Sequence, residues 1–433
     1  MLKAPGKFII ALFCLFFASR AAAGENINAF LIDTNNPSGT EKQQDRARGT
    51  DGQERRCAAI SVMAASKDKN ISSGLASALL DPDPVLQACA LRAAAETKNT
   101  SAVVPLMANV SAYLSAAGRK GPYEDNIRAR LKAINSIWAL GEIGSPEVTN
   151  GLKKFYQGSD DIIKMNLLIS LGKLGPGPGS AGYIREVAAS GEETEVVRAV
   201  AFEMLEEMGQ KASLAGLVPS RSSGMEKGDL LYTGGMIGSI GSWENSDLPV
   251  GHAGIFEGTE IKDGRIYVLI GDCVPNNFVP PGVRNINSWK NFTHHYKFPF
   301  YGNRTSEVRP SAAQRKRIVQ LALELGAKGL KYSVLHTSQK GPVEFDCVGY
   351  TEYIYEQAGL NPTDNKLETG WGWPLTPWEQ FEGTVPNAPA LTPQLVSAPA
   401  DTQRAPGQAA QELQKMAGIT VETNVRIIPQ RVY

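Results

Sequence analysis

Apolar residues recur at three- and four-residue intervals over residues 52–212, which predicts a succession of amphipathic helices. Similar strings return along this region, namely "SIWALGEIGS", "LISLGKLGPG" and "AFEMLEEMGQ". The spacing from Leu140 to Leu171 is 31 residues and that from Leu171 to Leu205 is 34 residues. Repeated helix pairs of this length are predicted to stack into a solenoid that presents a docking surface. An ordinary helical bundle is the alternative.

The pattern changes near residue 222. The short β-type runs "GDLLYTGG", "VGHAGIFEG" and "GRIYVLIGDC" are separated by Gly, Asn and Pro. The string "THHYKFPFY" predicts another strand, and helices are predicted at about 311–327 and 347–358. Residues 222–383 are therefore predicted to form an α+β domain. Residues 384–433, rich in Pro, Ala and Thr, are predicted to be a linker and tail.

The chain begins with a short charged segment and then an apolar one. Lys3 and Lys7 precede the run "FIIALFCLFFAS", and small residues follow at Ala21 and Ala23, a pattern typical of a secretory signal peptide. We expect residues 1–23 to be removed and residues 24–51 to be a disordered lead-in. The mature protein is then expected to be secreted or periplasmic, without a stable membrane span.

The composition bears on partners and cofactors. Lys and Arg together number 44, as do Asp and Glu, so nothing indicates a basic surface for nucleic acid. The four cysteines beyond the signal segment would permit two disulfides in an oxidising compartment. Cys57 and Cys89, however, lie on apolar helix faces and are expected to be small core residues. No metal-ligand spacing is present, and no cofactor is expected.

Cys347 is the candidate nucleophile. In "EFDCVGYTEYIYEQAGL", Asp346 is a candidate N-cap, which would place Cys347 in the first turn of a helix. The helix dipole and the free N–H groups at that position favour a thiolate. The alternative is a buried, inert cysteine.

A thiolate nucleophile needs an imidazole that moves its proton, and the chain has four histidines. His252 begins the predicted strand "HAGIFEG", where the glycines on either side of the pair His252–Ala253 leave space beside its ring. His294 and His295 are predicted on opposite faces of an exposed strand, and His336 in a loop. His252 is therefore the preferred base.

Asp272 is the candidate for orienting that imidazole, as the third member of a triad does. Strand alternation puts Asp272 on one face at the end of "GRIYVLIGDC", beside His252 if the two strands form a hairpin. Cys273 would then point away, which argues against a disulfide between Cys273 and Cys347.

These strings resemble known motifs. "FDCVGYTEYIYEQAGL" is similar to the nucleophile helix "FDCSGLVxYxYxxAGI" of the NlpC/P60 cysteine peptidases, and "GDLLYTGG…VGHAGIFEG" is similar to their histidine segment. Histidine precedes cysteine here, which is the order of the circularly permuted, YiiX-like and lecithin:retinol acyltransferase-like branch. "LIGD" followed by "GVRNINSWKNF" resembles a strand and helix of YiiX-like members. The helical strings resemble HEAT repeats.

The resemblance implies a papain-like α+β domain with an antiparallel sheet. It makes Cys347 the nucleophile, His252 the base and Asp272 the orienting acid, at a position where the family usually has glutamate. Tyr332 matches a tyrosine that helps to line the oxyanion site in many members. Val348 stands where serine is usual.

The expected function is that of an exported thiol hydrolase that cleaves an amide bond in cell-wall peptides, with the repeats available to a protein partner. The first alternative is a lipid-directed thiol acyltransferase or esterase, because the permuted branch includes acyl-transfer enzymes. The second alternative is a non-catalytic binding protein that acts through its repeats.

Overall fold

The computed structural model describes twelve ranges of the chain: 56–66, 69–81, 84–115, 123–177, 179–211, 213, 219–221, 223–234, 250–275, 278–333, 343–363 and 375–387. The signal peptide, the lead-in, His336 and the chain beyond residue 387 lie outside these ranges. The chain divides into two compact units, Met1–Pro105 and Leu106–Tyr433.

The first half of the described chain is helical, as predicted. Its helices are α1 (56–65), α2 (Lys69–Ala78), α3 (Pro84–Glu96), α4 (Val103–Leu114), α5 (Tyr123–Ile143), α6 (Thr149–Tyr156), α7 (Asp161–Lys173), α8 (Ser180–Ala189) and α9 (Glu195–Glu207). No helix among the described residues is long and apolar enough to cross a membrane.

The recurring "LGxxG" string has a packing role at its first glycine. A Cβ on Gly141 of α5 would lie 2.8–2.9 Å from Ser170 of α7, and a Cβ on Gly172 would collide with Met204 of α9. These glycines therefore let successive helices approach closely. Helices α5 and α7 also share a hydrogen bond, in which the hydroxyl of Ser170 donates to the carbonyl of Ile137 at 2.7 Å.

The second glycine of the same string ends the helix. Gly144, Gly175 and Gly209 follow α5, α7 and α9 with φ of 73°, 82° and 68°. This left-handed conformation favours glycine and closes the last helical turn. The recurring strings therefore mark two structural features. One is the close approach of neighbouring helices at the first glycine of α5 and of α7, and the other is the glycine that ends α5, α7 and α9.

The second half contains the predicted α+β arrangement. Its elements are β1 (Leu230–Gly234), β2 (Val250–Lys262), β3 (Arg265–Val274), β4 (Gly282–Ile286), α10 (Trp289–Phe292), β5 (Phe300–Thr305), α11 (Ala312–Lys328), β6 (Lys331–Tyr332), β7 (Glu344–Phe345), α12 (Cys347–Gln357), α13 (Pro377–Gly383) and β8 (Val385–Pro386). Six strands form an antiparallel sheet in the order β4-β3-β2-β1-β5-β8. A separate parallel pair joins β6 to β7.

Two predictions of local structure are wrong. The string "THHYKFPFY" begins with a left-handed turn, since His294, His295 and Tyr296 have φ of 52°, 60° and 58°, and only its last two residues belong to β5. The turn closes α10, because the N–H of His295 donates to the carbonyl of Lys290 at 2.6 Å. The predicted linker also starts too early, because β8 still pairs with β5.

The helices from Leu106 onward belong to the same compact unit as the sheet. Asn166 of α7 bonds both backbone groups of Phe300 on β5, donating to its carbonyl at 2.7 Å and accepting from its N–H at 3.1 Å. The hydroxyl of Tyr301 donates to Asn135 of α5 at 2.7 Å. The change of pattern near residue 222 therefore separates helices from strands, whereas the compact units divide after residue 105.

Cys57 and Cys89 form a disulfide within the first unit, with 5.4 Å between their Cα atoms. The expectation that they are unpaired core residues is wrong. Both cysteines lie on apolar helix faces, as the pattern suggested, but on faces of α1 and α3 that meet. Helix periodicity locates a residue on its own helix and does not say which residue faces it.

Candidate active site

Cys347 begins α12, and the predicted N-cap is present. The carboxylate of Asp346 accepts the N–H of Gly349 at 2.5 Å, which satisfies one of the free donors of the first turn. Tyr350 and Ile354 are fully buried on the inward face of the helix. This packing holds the Cys347 thiol in place, and the residue is only 5% exposed.

The surroundings of this thiol overturn the expectation of a resting thiolate. Burial raises the pKa of Cys347 to about 12, and the neighbouring Asp346 carboxylate contributes in the same direction. The backbone N–H of Ala253, which is directed at the sulfur, lowers the pKa by less. Val348 and Leu375 complete a buried apolar cluster with Cys347. The helix N-terminus therefore does not compensate for the loss of solvent.

The His252 and Asp272 side chains meet as predicted. Strands β2 and β3 form a hairpin in which Gly254 lies opposite Asp272, and the bulge in this ladder falls at Phe256–Gly258, away from the site. His252 therefore shares a face with Asp272, and its Nε2 lies 3.1 Å from Asp272 Oδ2. Although aspartate is shorter than the glutamate of the resembling family, it reaches the imidazole.

Arg284 is a further member of this cluster, and the sequence reasoning did not identify it. It lies opposite Asp272 on β4. Its Nε and a terminal nitrogen donate to the two carboxylate oxygens at 2.7 and 3.0 Å. Burial acts to raise the pKa of Asp272, but the hydrogen bonds from His252 and Arg284 and the guanidinium charge hold it below its usual value overall. Asp272 is therefore a buried carboxylate held in its charged form.

The remaining sides of the His252 ring meet aromatic residues. The rings of Phe292 and His294 each lie 5.3 Å from it, centroid to centroid. His252 Nδ1 is buried and has no hydrogen-bond partner among the described residues. With Nε2 taken by Asp272, Nδ1 is the nitrogen left to exchange a proton with another group.

His294 was predicted on an exposed strand, but it is buried beside His252. Neither of its ring nitrogens has a hydrogen-bond partner among the described residues. Burial lowers the pKa of His294 to about 2, and His252 adds to the effect. His294 is therefore neutral and packs against the ring of His252 as an aromatic side chain.

The sheet separates the imidazole from the cysteine helix. His252 and Asp272 point towards Phe292, whose ring lies 2.8 Å from where a Cβ on Gly254 would be. Helix α12 packs on the other face, where the Tyr350 hydroxyl fills the space beside Gly271. The thiol reaches the ladder where β2 and β3 stop pairing, at the residue next to His252. The sulfur and the imidazole thus approach the same strand end from opposite faces.

Tyr332 lies on the cysteine side of the sheet. Burial raises the pKa of its phenol, and the charges that Cys347 and Asp346 would carry raise it further. This interaction places the hydroxyl within electrostatic range of the thiol. Cys273 is a free, buried thiol that donates to the carbonyl of Phe345 at 3.1 Å, so Cys273 and Cys347 do not form a disulfide.

Sequence reasoning missed Arg284 and Leu375 for different reasons. Arg284 stands in the string "GVRNINSWKNF", already notable for its resemblance, but its pairing with Asp272 depends on the register of β4. Leu375 left no signal, because its contact with the thiol arises only in the folded chain. No cluster of three or more His, Cys, Asp or Glu side chains suited to a metal occurs within the described ranges.

Comparison with known proteins returned no match to this chain, whether among protein-family models, curated protein sequences or solved structures.

Proposed function

We propose that the protein is a thiol hydrolase that cleaves an amide bond, with Cys347 as nucleophile, His252 as base and Asp272 as the orienting acid. One observation carries the proposal: His252 Nε2 lies 3.1 Å from the ionised Asp272, while its Nδ1 is unpartnered among the described residues. A buried imidazole oriented in this way is the arrangement that a proton-transferring base needs.

The mechanism starts from a neutral thiol, because burial keeps the pKa of Cys347 high. As the sulfur attacks the carbonyl carbon, its proton has to reach His252 Nδ1 at the strand end that the two groups approach from opposite faces of the sheet, and Asp272 then stabilises the imidazolium through Nε2. The C–N bond then breaks, and the imidazolium gives its proton to the departing amine. Water attacks the resulting thioester with His252 again as base, which releases the acid and restores the thiol.

The oxyanion formed during attack needs hydrogen-bond donors. The backbone N–H of Cys347, at the start of α12, is one candidate, and the Tyr332 hydroxyl, which lies within electrostatic range of the thiol, is the other. Tyr332→Phe is expected to lower the rate while leaving the nucleophile intact.

The fold proposed for this domain is the permuted papain-like one. It is supported by the antiparallel sheet, by the histidine strand that precedes the cysteine helix, and by the position of Cys347 at a helix start. HEAT-type repeats are proposed for the helices, and the recurring glycine contact of α5 and α7 supports them. A protein partner bound to these helical repeats stays a prediction.

Export is supported by the disulfide between Cys57 and Cys89. Disulfides persist in oxidising compartments and are rare where glutathione keeps thiols reduced. Together with the signal-like first residues, this pairing favours a secreted or periplasmic protein. A cell-wall peptide is then the substrate class that we propose.

A lipid-directed acyltransferase or esterase is the second candidate. It is favoured by the apolar side chains of Val348 and Leu375, which pack with the Cys347 thiol. A fatty acyl chain would gain from burial against such residues, whereas a polar peptide would lose hydrogen bonds to water.

The two candidates are separated by incubating the wild-type protein with muropeptides and with phospholipid vesicles, followed by mass spectrometry of the products. Cys347→Ala should abolish product from whichever substrate is used. Cys273→Ala is the matched control, because it removes the other buried free thiol and should retain activity. Undiminished activity in Cys347→Ala would exclude the proposed nucleophile.

A further inference from the structure

A buried carboxylate of the helical region binds the segment that packs against His252. Glu203 of α9 is 5% exposed. It accepts the backbone N–H groups of Trp289 and Lys290 at 2.8 and 3.0 Å and the hydroxyl of Tyr296 at 2.5 Å. One side chain thus holds both ends of the segment 289–296. Buried carboxylates are costly unless their oxygens are satisfied, and these are satisfied by one short segment.

A second contact from the helical region supports the same segment. Lys173 of α7 donates to the carbonyl of Tyr296 at 2.5 Å, and it also pairs with Glu142 of α5. Two helices, α7 and α9, therefore hold the left-handed turn that follows α10. The backbone of that turn is otherwise unfavourable for non-glycine residues.

This segment reaches the imidazole directly. Phe292 and His294 lie between its two anchored ends, and each ring packs 5.3 Å from the ring of His252. The other groups that face His252 are Asp272 at Nε2 and Arg284 behind it. The orientation of His252 about its Cβ–Cγ bond is thus limited by Asp272 on one side and by the segment on the other.

We infer that Glu203 is a positioning residue for the proposed reaction, acting through the segment 289–296 on the orientation of His252. The inference rests on the proposed function, and it gives the last helix of the helical region a role in catalysis rather than in docking alone. Glu203 touches no reacting atom. Glu203 instead affects the direction in which His252 Nδ1 points.

The test compares Glu203→Gln with Glu207→Gln in the full chain. Both substitutions replace one carboxyl group of α9 with an amide, and both residues contact the same segment. Glu207, however, bonds the exposed side chain of Lys290 at 2.5 Å and, among the described residues, no backbone group of the segment. Tyr296→Phe removes a single hydrogen bond from the other partner, and it serves if Glu203→Gln folds poorly.

The readout that does not depend on activity is the imidazole nitrogen spectrum of protein labelled with ¹⁵N-histidine. The chain has only four histidines, so each can be assigned by substitution. We expect Glu203→Gln and Tyr296→Phe to shift the His252 and His294 resonances in the same way, and the double variant to add little. Glu207→Gln should leave them at their wild-type positions.

In activity, Glu203→Gln should lower kcat by about tenfold to a hundredfold with little change in KM, since a small misplacement of a catalytic group costs that much. Unmoved His252 resonances in both Glu203→Gln and Tyr296→Phe would overturn the inference. Shifted resonances in a protein whose activity survives Cys347→Ala would leave the positioning role standing and contradict the proposed nucleophile.

Discussion

Replacing Arg284 with methionine tests whether Arg284 stabilises the negative charge of Asp272, as the two hydrogen bonds between them indicate. Arg284 donates to both carboxylate oxygens, and the two side chains are 5% and 0% exposed. Methionine fills a similar volume but leaves the carboxylate buried without its cation. Breaking a buried pair from one side costs about 3–5 kcal/mol, so Arg284→Met should lower the free energy of unfolding by that amount near neutral pH.

The loss should depend on pH, and its direction follows from the pKa of Asp272. In the wild type this pKa lies below its unfolded value, so Asp272 contributes stability above the unfolded pKa and loses it as pH falls through the folded pKa. Without Arg284, burial is the leading influence and raises the pKa. The unpaired Asp272 carboxylate then destabilises the fold near neutral pH. Its protonation removes this destabilisation as pH falls. The difference between the variant and the wild type should therefore shrink in acid.

The assay is urea unfolding of the full chain, followed by tryptophan fluorescence, at pH 7 and pH 5. Lys290→Met is the control, because its pair with Glu207 is exposed and should be worth about 1 kcal/mol or less. Adding Asp272→Asn to Arg284→Met should recover part of the loss, since no unpaired charge then remains. A loss below about 1 kcal/mol, or one that is equal at both pH values, would refute the reasoning.

Three further predictions concern other contacts. Gly141→Ala should destabilise the protein by about 1–3 kcal/mol, because a Cβ there meets the backbone of Ser170, whereas Gly182→Ala, with nothing within 4 Å, should be neutral or stabilising in thermal melts. Asn166→Ala should cost about 2–3 kcal/mol in urea unfolding, since both backbone groups of Phe300 lose their partner, and an unchanged midpoint would contradict this. Leu375→Ala should speed the alkylation of Cys347 by iodoacetamide in a Cys273→Ala background, because it uncovers the thiol. An unchanged rate would mean that Leu375 does not limit access.

The parts of the site that could be predicted are those set by local periodicity. Strand alternation places His252 and Asp272 on one face, and the N-cap preference of aspartate places Cys347 at a helix start. Both depend only on residues close in the sequence or joined by one hairpin. Both placements are therefore observed in the folded chain.

The parts that could not be predicted depend on which segments meet. The partner of Asp272, Arg284, follows from the pairing of β4 with β3, and the disulfide of Cys57 follows from the packing of α1 against α3. The aromatic string around His294 favours a strand by composition, yet its backbone is held in a left-handed turn by Glu203 and Lys173. Tertiary hydrogen bonds outweighed local propensity there.

The central claim is that the His252 imidazole accepts the proton of the Cys347 thiol. The most direct measurement is the rate of carboxamidomethylation of Cys347 between pH 5 and pH 9, in Cys273→Ala protein with and without His252→Asn. We predict that His252→Asn slows the reaction at least about tenfold near neutral pH, because the imidazole no longer accepts the thiol proton. Equal rates across this pH range would contradict the account.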